Sequence, residues 1–115
     1  MTTQNIALLT LTIALTGTAS ACRFITPTGT QTAADGNAIG VSRTGGISGD
    51  KIAVDIDGTA VIESGAAFAL GATLKADATG RGITWVTSGG KVAIALEAAT
   101  AAGQFVEVLL IDNAA

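Results

Sequence analysis

Apolar residues recur at every second position in several short stretches of the chain, the period of a β-strand with one buried face. The first stretch is Leu9, Leu11, Ile13 and Leu15, alternating with Thr10, Thr12, Ala14 and Thr16. A second places Ile52, Val54 and Ile56 on one side and Lys51, Asp55 and Asp57 on the other. Gly58 and Thr59-Ala60-Val61-Ile62-Glu63 follow. Asp57-Gly58 therefore predicts a tight hairpin, since glycine supplies a positive φ at little steric cost. Further strands are predicted over 22–26, 72–75, 83–87 and 91–96, with Ser88-Gly89-Gly90 turning between the last two. Residues 104–111 are rich in β-branched and aromatic side chains and predict a strand buried on both faces near its end.

Between these stretches the chain is rich in turn residues. From Gly17 to Gly40 it is Thr-, Ala- and Gly-rich, with the single proline at Pro27 and turn signals at Thr28-Gly29 and Asp35-Gly36. Gly65 to Gly71 reads as a mostly irregular connection. Glu97 to Ala102 has good helix formers and stops at Gly103, which predicts one or two short helical turns. The fold class expected is mainly β: a small antiparallel β-sandwich or barrel with one or two short helical turns and an N-terminal strand or arm. Residues 1–36 form the strand or arm with a loop-rich segment, and 37–115 form the β-rich body of what is a single domain overall.

The N-terminus has a competing reading. The run Ile6 to Leu15, followed by Thr18-Ala19-Ser20-Ala21-Cys22, looks like a secretory apolar region ending in a small-residue cleavage site, with Cys22 placed as a lipid-anchor cysteine. Against this, Met1-Thr2-Thr3-Gln4-Asn5 carries no Lys or Arg, the chain begins at Met1 with the segment retained, and the two-residue alternation is that of a strand. A retained strand is the expectation. The apolar stretch also falls short of the ~20 residues a membrane-spanning helix needs, so no membrane association is expected.

Composition narrows the function. Six basic residues against nine acidic ones give a formal net charge of -3, with no basic stripe to neutralise phosphates, so nucleic acid is not an expected partner. Histidine is absent and cysteine occurs once, which removes the common transition-metal ligand sets and any intrachain disulfide. The chain is 49% hydrophobic yet only 13% charged, against about 25% in ordinary soluble domains. A surface so poor in charge suits burial against another subunit, the mark of an assembly protein.

Candidate chemistry is thin. Asp55 and Asp57, with Lys51 on the same strand face, could bind calcium or serve as acid and base, but read first as a solvated strand face. Cys22 has no histidine to activate it and reads as a small buried hydrophobe. The serines at 42, 48, 64 and 88 lack a base. Gly45-Gly46-Ile47-Ser48-Gly49 lacks the Gly-Lys-Ser/Thr ending of a phosphate loop. Trp85, the only tryptophan, reads as an interface anchor. No catalytic residue, metal ligand or cofactor site is expected.

The stretch from Ala38 to Ile111 resembles the capsid decoration, or cement, proteins of tailed bacteriophages. The residues that carry the resemblance are Ile39-Gly40-Val41, Gly49-Asp50-Lys51-Ile52-Ala53-Val54 with Asp57-Gly58, Ile62-Glu63-Ser64-Gly65-Ala66-Ala67, and Gly71-Ala72-Thr73-Leu74 with Gly80-Arg81. Ala93 to Gln104 and Val106 to Ile111 complete it. The resemblance implies a non-enzymatic structural virion protein on the outer capsid surface, made in the host cytoplasm. It further implies a homotrimer that binds the major capsid protein and braces neighbouring shell subunits. In such proteins an N-terminal segment can add a strand to the shell, so Leu9, Leu11, Ile13, Leu15 and Trp85 are the candidate partner interface. Two readings stand beside it: a secreted or lipid-anchored bacterial envelope protein using Cys22, and a small hydrolase or carbohydrate-binding module using Asp55 and Asp57.

Overall fold

The computed structural model describes residues 4–111; residues 1–3, at the start of the uncharged N-terminus, and residues 112–115, at the end of the predicted body, lie outside the description. Eight strands are present: β1 (Ala7–Ala14), β2 (Phe24–Ile25), β3 (Gly40–Ser42), β4 (Lys51–Glu63), β5 (Thr73–Ala76), β6 (Gly82–Thr84), β7 (Ala93–Ala95) and β8 (Phe105–Leu110). They form one sheet in the order β2-β3-β4-β8-β7-β5-β6, with β1 added to β4, and every strand pair is antiparallel. The sheet nearly closes into a barrel, as expected from so many short strands. Its two ends meet where Phe24 N donates to Gly80 O just before β6, at 2.8 Å. An ion-pair chain runs along this seam: Arg23 to Glu63 at 3.2 Å, Glu63 to Arg81 at 3.7 Å and Arg81 to Asp77 at 3.1 Å.

The hairpin predicted at Asp57-Gly58 does not form. β4 runs unbroken through both residues. Gly58 does adopt a positive φ, of 95°, but spends it on a bulge rather than a turn. A Cβ there would collide with Ile6 O, so only glycine lets β1 pass this close. The bulge also shifts the phase of the strand. Asp55 stands opposite Val41, which lies in the larger core cluster, whereas beyond Gly58 it is Ala60 and Ile62 that enter that cluster. Ile52 and Val54 point the other way, into a smaller cluster with Leu15, Ala19 and Ile25. One long strand thus serves two cores because a one-residue slip exchanges its faces.

The helical turns expected over Glu97–Ala102 are also absent among the described residues, where no helix occurs. Ala99 instead exchanges both backbone hydrogen bonds with Phe68. A six-residue helix has too few internal bonds to repay nucleation, and a long-range bridge with Phe68 and Ala99 both buried outcompetes it. The other strands are shorter than or displaced from their predicted spans. Trp85 falls outside β6, and β3 arises where no strand was predicted.

Candidate functional site

β1 is the outlier of this sheet. Residues 51–58 of β4 form its only strand partner among the described residues, so its other edge carries no strand. Most of it is exposed: Leu8 75%, Ile6 just before it 54%, Leu9 47% and Leu11 39%. An exposed apolar edge strand is a template for pairing with another chain, and native proteins usually blunt such edges with charge or proline. Residues 6–14 contain neither.

The five residues singled out from the sequence separate into different environments. Leu11 and Ile13 stand opposite Val54 and Ile52, and Ile13 packs partly on the smaller core. Leu15 is 2% exposed inside that core. Leu9 stands opposite the exposed Asp57, because register irregularities on both sides of it break the simple alternation. Trp85 lies in the loop after β6, away from this strip; its indole donates to Gly89 O at 2.9 Å and its ring carries Lys91 Nζ at 4.4 Å. Ile6 and Leu8 were missed. The signal was the unbroken apolar run from Ile6 to Leu9, which strict alternation from Leu9 onward passes over.

A polar contact fastens β1 at its middle. Thr10 Oγ1 donates to Asp55 Oδ1 at 2.9 Å, and Arg43 Nε lies 3.0 Å from the same oxygen. Asp55 is only 1% exposed, so the solvated face expected for it is corrected: β1 and Arg43 cover it. Burial is tolerated because both charge and hydrogen-bonding capacity are matched. Asp57, two residues on, is exposed and accepts from its neighbour Gly58 N at 2.9 Å. The two carboxylates therefore do not share a site. Among the described residues no cavity is present, and no group of three or more His, Cys, Asp or Glu converges as a metal cluster.

Cys22 is half-buried in a turn at φ 58°, and burial followed by the Glu63 charge raises its thiol pKa, with Arg23 opposing. A raised thiol is a poor nucleophile at neutral pH. Cleavage before it would strip away β1 together with the core residues Leu15 and Ala19.

Residues 3–110 match the family described as phage cement protein. The chain belongs to that family. As a cement protein it is a structural, virion-associated component at the virion surface, associated with phage capsid structures and not an enzyme. Its fold is shared by the head fiber gp8.5 N base in bacteriophage phi29, with a TM-score of 0.72 at 16% sequence identity over 90% of this chain and 93% of that one. No curated protein matches this cement protein.

Proposed function

We propose that the domain binds the outside of an assembled shell as a homotrimer and cements neighbouring copies of the major capsid protein, with β1 as the docking element. The observation that carries this reading is the set of exposed side chains Leu8, Leu9 and Leu11, with Ile6 just before them, on a strand whose outer edge has no strand partner among the described residues. Main-chain pairing along such an edge supplies affinity, and the leucines supply apolar area at the contact. Low charge over the whole chain fits a surface that spends its life covered. Leu15 has no direct part in this contact, since it serves the smaller core. Trp85, half-buried beside the exposed Val86, stays a candidate anchor for a partner surface.

The test is cosedimentation of purified protein with undecorated capsids, alongside light scattering of the protein alone. Saturable binding at a fixed ratio to shell subunits and a trimeric solution mass are expected. No binding to capsids would remove the cementing role, and a monomeric mass at all concentrations would remove the trimer.

A further inference from the structure

We infer that Asp57-Gly58 is a site of spontaneous backbone isomerisation in the folded protein, and that the fold selects it over the chain's other Asp-Gly pair, Asp35-Gly36. The inference is independent of how the domain meets its partner. Both pairs have the sequence that favours attack of a backbone nitrogen on the preceding side chain, because glycine offers no side chain to shield the nitrogen. Their surroundings differ. At the first site Gly58 N lies 2.9 Å from Asp57 Oδ1, so nucleophile and carboxyl are already held together. Asp57, like Asp35, is exposed to the water that the second step consumes, while Gly58 itself is buried, so the contrast between the sites rests on the contacts of the two carboxylates and not on exposure. At the other site the Asp35 carboxylate is drawn away by Lys75 Nζ at 2.7 Å and Ser88 Oγ at 3.1 Å. Gly36 N there donates to Ala33 O at 3.1 Å. Lys75 first and Ser88 second also hold the Asp35 carboxyl below its ordinary pKa, keeping it in the anionic form that resists nucleophiles.

The step balances with water alone. Gly58 N bonds to Cγ of the protonated Asp57 carboxyl, the Cγ–OH bond breaks, and the hydroxyl leaves as water with the amide proton, closing a five-membered imide. Water then adds to either ring carbonyl. Addition at the main-chain carbonyl routes the backbone through Cγ and lengthens it by one methylene. Glycine cannot be exchanged for a more protective residue, because a Cβ at 58 meets Ile6 O. The lengthened bond lies where Leu9 and Ala7 pair with Asp57 and Gly58, so the product has a disturbed β1 register at that end.

The experiment incubates the native protein at physiological temperature and mildly acidic to neutral pH, followed by trypsin and mass spectrometry. Cleavage at Arg23, Arg43, Lys51 and Lys75 puts the two Asp-Gly pairs in separate peptides, residues 24–43 and 52–75. In the native protein, the isobaric isoaspartyl form of peptide 52–75 is expected to accumulate several-fold faster than that of 24–43. Protein held in urea is expected to show the two rates converging. Equal native rates, or faster reaction at Asp35, would overturn the inference.

Discussion

Thr10 and Asp55 are joined by a 2.9 Å hydrogen bond from the threonine hydroxyl on the exposed edge strand to a carboxylate that is only 1% exposed. The contact ties β1, the one strand with no buried position among the described residues, to the strand that supplies both cores. It also explains how an acidic side chain is accommodated at the centre of the sheet, since Arg43 completes the charge balance from β4's other flank.

Removing Arg43 leaves Asp55 buried without its cation. Arg43→Ala is expected to lower unfolding free energy by about 2 kcal/mol, and Thr10→Val by about 1 kcal/mol. Urea titration checks both, with the midpoint falling and the slope unchanged. Because both partners touch one carboxylate, the double variant should depart from the sum of the two.

Gly58→Ala is expected to be far more damaging than Gly49→Ala, although φ is 95° at both positions. At Gly49 nothing lies within 4 Å of the new Cβ, so the cost is the roughly 1–2 kcal/mol of the left-handed backbone alone. At Gly58 the Ile6 carbonyl must also move, which strips the end of β1 from β4. Thermal unfolding ranks the two, and increased hydrogen exchange at the Thr59 amide, which donates to Ile6 O, locates the damage.

Asp77 gives the fold a dependence on acid. Burial pushes its carboxyl up, but hydrogen bonds from the amides of Arg81 and Thr79, the Thr79 hydroxyl and the Arg81 charge together bring it below its ordinary value. A carboxylate with a depressed folded-state pKa contributes stability that is fully present above its unfolded value, ~3.9, and is lost as pH falls through the folded value. Stability should therefore drop on acidification below about pH 4. Asp77→Asn should be less stable than the parent at neutral pH and show a shallower acid loss, measured by urea unfolding across pH.

Much of this architecture was legible in the sequence, for reasons that particular residues make clear. The alternation of Ile52, Val54 and Ile56 with charged neighbours identified a half-buried strand, and the positive φ at Gly58 was anticipated correctly. The use of that φ was not, because a bulge and a hairpin ask the same of glycine locally and differ only in what lies across the sheet. Glu97–Ala102 has helical propensity, but Phe68, some thirty residues earlier, supplies the backbone partners that keep it extended. The edge strand was found, yet the most exposed large apolar side chains on and just before it, Leu8 and Ile6, were not: alternation marks which residues share a face and is blind to which face is covered.

The most direct test of the central claim, that β1 docks on the shell, is cosedimentation with undecorated capsids of the double variant Leu8→Lys, Leu9→Lys. Both side chains are exposed, at 75% and 47%, so stability should stay within about 0.5 kcal/mol of the parent. Lysine on a strand edge blocks apolar pairing without disturbing the fold beneath it. The expected result is an unchanged thermal midpoint with capsid affinity reduced on the order of tenfold or more, equivalent to at least about 1.4 kcal/mol. A folded variant that saturates capsids at the same ratio and concentration as the parent would contradict the account.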